Sequence, residues 1–346
     1  MTGQYETAET CRAEEIPFPF CNPIICTDPC MDSDSFCPDS TYNIPQDHSG
    51  RQTRISGQNT DITPQEAEFI SWDPSFRACI PGLGRALPRS DAAWRWQIFP
   101  TGILFRSYFA SITESRMGVQ FIHESRQNIN YWDPTLGGRF GMVRYGNFEK
   151  LYPEGFQLDV ECAALARLTL DGDREVWGTD YRFGCPLTFR YHHWEFKFGY
   201  YHISSHRGDE LMVRQENPRE RRNYVRDTLM LAAAYRPDAN WRFYFEMNYA
   251  VWTDEGAKPW QFELGCEYSP MMLPSVKGSP FFALHCRFSE DNDFGSTLTF
   301  QLGWQWKTLY QHTFRTGLYF LDGYPNQYQF YDRKERQIGW GFWYDF

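Results

Sequence analysis

From Trp94 to Phe346 apolar and polar residues alternate in run after run. In 177–191 the odd positions read Trp177, Thr179, Tyr181, Phe183, Cys185, Leu187, Phe189 and Tyr191, against Asp180, Arg182, Thr188 and Arg190 at even ones. Phe156, Leu158, Val160, Cys162 and Ala164 similarly oppose Gln157, Asp159 and Glu161, and Trp241, Phe243, Phe245, Met247 and Tyr249 oppose Arg242, Glu246 and Asn248. A period of two puts successive side chains on opposite faces of a strand, so each run predicts a strand with one apolar and one polar face. With a run at 297–306 and others near 115–123, 138–147, 193–204, 224–235, 259–268, 280–289, 313–321 and 338–346, the total is about twelve. Several runs exceed the five or six residues typical of soluble strands and reach the roughly 9–11 that a tilted strand needs to cross a bilayer. Aromatic residues near their ends suit the two membrane interfaces. The predicted fold is therefore all-β, a transmembrane antiparallel β-barrel over 96–346 in the bacterial outer membrane. Residues 1–95, rich in Pro, Asp, Ser and Thr and without periodicity, read as an irregular cysteine-rich N-terminal arm.

Composition agrees with this architecture: 18% of the 346 residues are aromatic, yet the mean hydropathy is −0.60. No apolar stretch approaches the length of a transmembrane helix, the best being Leu229 to Tyr235. A formal net charge of −10 excludes a phosphate-rich nucleic-acid partner. The start, MTGQYETAETCRAEE, lacks the basic and apolar regions of a secretory signal, so an export signal is expected to have been removed or to begin elsewhere. Of ten cysteines, Cys11, Cys21, Cys26, Cys30 and Cys37 crowd the arm, and Cys79, Cys162, Cys185, Cys266 and Cys286 are scattered. Cys26-x-x-x-Cys30 lacks a second close pair, which weighs against zinc and for disulfides, either internal or to envelope partners.

Bacterial barrels have short periplasmic turns and longer outer loops. The turns at His192 and at 237–240 are short, whereas 124–137, 205–222 and 322–337 are long. Counting back from a final strand descending to Phe346 makes 193–204 ascend and 205–222 extracellular, although the long 269–279 segment then falls on the periplasmic side. The stretch Phe99 to Ala110 precedes the first ascending strand. Asp159, Glu161, Arg182, Arg190, Glu195, Lys197, Arg242, Glu246, Glu263, Glu267 and Arg287 face inward by parity, and pairing among them predicts a largely filled lumen. His123 and His285 read as isolated.

On the strand over 193–204, the apolar face of Trp194, Phe196, Phe198 and Tyr200 continues into His202 and Ser204. Both would face outward near the outer-leaflet interface. On the next strand Asn223 and Asp227 share parity with Val225, Leu229 and Leu231, and Asn223 falls roughly opposite Ser204. A nucleophile, a base and an orienting amide are what acyl transfer requires. The set resembles the outer-membrane phospholipase A family, twelve-stranded barrels with a lipid-facing His-x-Ser pair and an Asn on the following strand. The resemblance implies that Ser204 attacks an ester carbonyl, that His202 is the base and that Asn223 orients it. It also implies calcium held with help from Gly208, Asp209 and Glu210, with outer-membrane lipid as partner and a homodimer admitted. The sequence departs from the family after the serine, reading Ser205-His206-Arg207-Gly208-Asp209-Glu210. More broadly, FPTGILFRSYFA with ESRMG, YYHISSHRGDE and NYVRDTL look like an uncharacterised family of outer-membrane barrels without assigned activity, which implies fold and location.

A polar pair at a strand end costs only about 0–1 kcal/mol. His202 and Ser204 therefore equally suit an ordinary strand end, and His206, Asp209 and Glu210 a solvated loop cluster. The alternatives to a lipid esterase are a narrow pore and a non-enzymatic envelope barrel, cross-linked through the arm.

Overall fold

The computed structural model describes residues 86–170, 174–214 and 222–346. Cys11, Cys21, Cys26, Cys30, Cys37 and Cys79, and with them most of the arm and its expected disulfides, lie outside the described residues. Cys162, Cys185, Cys266 and Cys286 are free thiols.

Thirteen strands follow in order: β1 (Arg95–Ile98), β2 (Met117–Glu124), β3 (Ile129–Gly146), β4 (Gly155–Thr169), β5 (Val176–Tyr191), β6 (Trp194–Arg207), β7 (Val225–Tyr235), β8 (Trp241–Asp254), β9 (Trp260–Tyr268), β10 (Ser279–Ser289), β11 (Gly295–Lys307), β12 (Thr313–Gly323) and β13 (Glu335–Asp345). Each of β2 to β13 pairs antiparallel with its chain neighbours, and β13 pairs back onto β2, closing a barrel of twelve strands. Closure pairs both edges of the twelve strands β2 to β13, as a lipid environment requires, while β1 pairs on one side, with β3. The outward residues are large and apolar, as along β13, where Ile338, Trp340 and Phe342 are exposed while Trp343 and Gln337 are buried. This is an outer-membrane β-barrel, its C-terminal Phe346 ring lying over Gly138 of β3, where a side chain would crowd it.

β3 is longer than its hydropathy suggests. The expected loop over 124–137 is a tight turn, with Asn128 in the left-handed region, and the strand resumes at Ile129. Pro134 is tolerated because the β3–β4 ladder is interrupted between Trp132 and Thr135, where no amide donor is needed. The outer connection 208–224 begins with one short helix, α1 (Asp209–Arg214). The long 269–278 connection folds back onto the barrel: Met271 is buried, and Lys307 Nζ lies 2.7 Å from Ser269 Oγ.

A barrel of about eight strands is filled by its own side chains, and twelve leave a wider lumen. Two inserts occupy it. β1 pairs with Arg144–Gly146 and Val143 of β3, below the part paired with β2, so β1 and β2 act as one interrupted strand. Between them the chain turns at Gly102 (φ +79°) and runs through the lumen, every residue from Gly102 to Arg116 being buried. Tyr108 donates to Glu246 at 2.7 Å, the Phe109 amide donates to Glu267 at 2.6 Å, and Arg242 donates to the Arg106 carbonyl at 3.0 Å. The sequence does not show this excursion, because Phe105, Tyr108, Phe109 and Ile112 follow no strand period.

The second insert is the connection between β12 and β13. Tyr328 and Gln329 hang from β5 and β6, through Tyr328 N to Asp180 Oδ2 at 2.9 Å and Gln329 Nε2 to the Ser205 carbonyl at 2.8 Å. On the opposite wall Arg287 donates to the Pro325 carbonyl at 3.1 Å. The loop thus spans the outer mouth. Around both inserts the inward charges pair as expected: Arg139–Asp159 at 2.8 Å, Arg182–Glu161 at 2.8 Å and Lys197–Glu246 at 2.6 Å. Glu195 meets Arg236, Arg242 and Arg190 at 2.6, 3.1 and 3.3 Å. His285, expected to be isolated, is buried with Nδ1 2.9 Å from the Tyr244 hydroxyl.

Candidate active site on the lipid-facing wall

Strand parity carries through to the outer end of β6. Glu195, Lys197, Tyr201, Ile203 and Ser205 are buried in the lumen, so Tyr200, His202 and Ser204 share the outward face with Phe196 and Phe198. Residues two apart on one strand face are neighbours. Register sets Tyr200 opposite Leu229, His202 opposite Asp227 and Ser204 opposite Val225 of β7. On the other flank Phe183 faces His202 and Tyr181 faces Ser204, and both of these rings are exposed to lipid.

His202 Nδ1 lies 2.7 Å from Asp227 Oδ1, and the Tyr200 hydroxyl donates to the same oxygen at 2.6 Å. Directly beyond Asp227, the β7–β8 ladder slips between Asp227 and Thr228. The extra residue falls on β8, so Val251 and Trp252 both face outward. Such bulges re-aim side chains and recur beside functional sites. With Nδ1–H donating to the carboxylate, the imidazole keeps Nε2 as its basic nitrogen, the arrangement a catalytic histidine needs. The Ser204 hydroxyl shares this face without a hydrogen bond to His202. Nucleophile–base contacts of this kind often tighten only when substrate is bound.

The other residues singled out by sequence fall elsewhere. Asn223 is exposed and turned toward the β8–β9 connection, its amide N–H donating to Glu255 and its Nδ2 lying 3.5 Å from Asp254 Oδ2. The partner of His202 is Asp227 in its place, and Tyr200 is a further member that sequence reasoning passed over. Parity puts Asp227 on the outward face together with Asn223, and only the β6–β7 register sets it opposite His202. Asp209 is exposed at the start of α1, and Glu210 follows it in that helix. Among the described residues no three His, Cys, Asp or Glu side chains converge as metal ligands. His206 is exposed, its ring 5.7 Å from that of Tyr181.

The model of a family described as protein of unknown function (DUF1207) matches residues 97–346. None of the curated proteins matches the chain. Among solved structures, outer membrane phospholipase A from Escherichia coli is similar at 16% identity, covering 66% of this chain and 90% of that one with a TM-score of 0.46. The Salmonella typhi outer membrane phospholipase dimer with bound calcium has the same identity, coverage and TM-score. The outer membrane protein OprD from Pseudomonas aeruginosa is similar at 9% identity, with coverage of 72% and 97% and a TM-score of 0.29.

Proposed function

The chain belongs to the DUF1207 family, and we propose that it is an outer-membrane serine esterase that hydrolyses acyl esters of membrane lipid at the lipid-facing end of β6. One observation carries the reading: a lipid-facing imidazole is held through Nδ1 by a carboxylate, 2.7 Å away on the paired strand, with a serine two residues along the same face. His202 Nε2 takes the Ser204 proton as Oγ bonds to the ester carbonyl carbon. The imidazolium, stabilised by Asp227, then returns the proton to the departing alcohol, and water releases the acyl group by the reverse sequence. Substrate enters from the bilayer, since the lumen behind the strand is filled.

The test is hydrolysis of phospholipid, lysophospholipid and an acyl-ester probe by the purified barrel in detergent, with calcium and with chelator. Ser204→Ala and His202→Ala should abolish turnover. Asp227→Ala should lower it by about 10²–10⁴-fold, whereas Asn223→Ala leaves it unchanged. Equal rates for wild type and Ser204→Ala would overturn the esterase reading. A loss with Asn223→Ala in place of Asp227→Ala would return the orienting role to the amide. Dependence on calcium would assign the ion to groups other than those brought together here.

A further inference from the structure

Across the barrel from Ser204, the outward face where β12, β13, β2 and β3 meet carries a second polar constellation that esterase chemistry does not use. Asp322 near the end of β12 is the cross-strand partner of Arg336 at the start of β13. Its Oδ2 accepts from Arg336 Nη2 at 2.8 Å and Nε at 3.2 Å. Its Oδ1 accepts from Nη2 of Arg126, in the β2–β3 turn, at 3.1 Å. Arg336 lies on the outward parity of β13 directly above Ile338, Trp340 and Phe342, all exposed to lipid. The two guanidiniums therefore sit where the apolar wall ends and the outer-leaflet headgroups begin.

Buried structure holds them there. The Glu124 side chain is fully buried, and its Oε1 accepts the backbone N–H groups of both Arg126 and Arg336 at 3.0 Å each. Its Oε2 accepts Gln127 N at 2.5 Å, and the Ser125 amide closes onto the Arg336 carbonyl at 2.8 Å. One desolvated carboxylate thus fixes the backbone beneath both cations. An exposed ion pair by itself contributes about 0–1 kcal/mol, too little to be the purpose of this support. Asp322 divides its two oxygens between the guanidiniums, and Lys334 adds a further exposed cation over the Tyr324 ring, on a chain whose formal net charge is −10.

We propose that Arg126 and Arg336 form a binding site for the phosphate of an outer-leaflet lipid headgroup. Asp322 holds the two planar groups together, and both side chains are about half exposed, which leaves N–H donors for that phosphate. Arginine suits the task because its fork of donors matches phosphate oxygens and stays charged at the interface. The acyl chains would lie along Ile338, Trp340 and Phe121.

Native mass spectrometry of the detergent-solubilised protein tests this with diphosphoryl lipid A, the dephosphorylated lipid and inorganic phosphate as probes. Wild type should retain the phosphorylated lipid about tenfold more tightly than its dephosphorylated form, and an excess of inorganic phosphate should not displace it. Arg126→Gln/Arg336→Gln should remove that preference. Because Arg126 lies in a turn, Arg126→Gln alone provides a variant that keeps the barrel folded, and it should weaken retention by about threefold or more. Equal retention by wild type and Arg126→Gln, or no preference for the phosphorylated lipid, overturns the proposal. Displacement by inorganic phosphate overturns it too and identifies a soluble-anion site.

Discussion

Ser204 and Ser205 are neighbours in the chain, yet their hydroxyls face different media. Ser205 is buried and donates to Asp180, while its carbonyl accepts Gln329 of the mouth-closing loop at 2.8 Å. Ser204 sits on the lipid face beside His202 and Asp227. The contrast extends along the whole of β6. Inside, Glu195 and Lys197 are locked by partners on other strands and by the Gly102–Arg116 insert, because a charge withdrawn from water is tolerated only when paired. Outside, Tyr200 and His202 are partly exposed and bond to Asp227 of β7, with Ser204 beside them on the same face. Rigidity belongs to the lumen and available chemistry to the wall, a division that follows from filling a wide barrel with chain.

The largest test of this division concerns the inserts themselves. Wild type should pass almost no current in a planar bilayer. Replacing 103–113 and 325–330 together by Gly/Ser linkers of equal length should give stable openings, with heat-modifiable gel mobility confirming a folded barrel. A wild-type channel of porin conductance would show that the lumen is open in spite of both inserts.

Next in size is the centre of the inner network. Glu195→Ala leaves Arg190, Arg236 and Arg242 without their shared carboxylate and should cost about 3–5 kcal/mol, read from urea unfolding in detergent micelles. A loss under about 1 kcal/mol would mean that water reaches these groups and that their pairing is incidental.

The smallest effect separates the two serines directly. Ser205→Ala removes a donor from buried Asp180 and should lower stability by about 1–3 kcal/mol while ester turnover is unchanged, the inverse of Ser204→Ala. Should Ser205→Ala abolish turnover in a fully folded barrel, parity would have assigned the wrong hydroxyl.

Most strands were legible because a closed barrel imposes a strict period of two, and lipid demands apolar side chains on one face only. The same rule places His202 and Ser204 together on the outward face from sequence alone. It could not choose between Asn223 and Asp227, which share parity, because that choice rests on the β6–β7 register, set by backbone pairing along two whole strands. Pro134 and the Gly137–Gly138 pair look like loop, and only the ladder interrupted between Trp132 and Thr135 shows why Pro134 is tolerated in a strand.

What the sequence determined by itself is thus the membrane barrel, the inward and outward assignment of its strands and the outward polar pair at the end of β6, all consequences of local periodicity. The tertiary structure alone decided that Gly102–Arg116 enters the lumen, that the Tyr328 loop closes the mouth, that Asp227 holds His202, and that Glu124 fixes Arg126 beside Arg336. His202 and Asp227 are 25 positions apart and Glu124 and Arg336 are 212 apart, and contacts at such separation arise only when the sheet closes and sets which strands stand opposite one another.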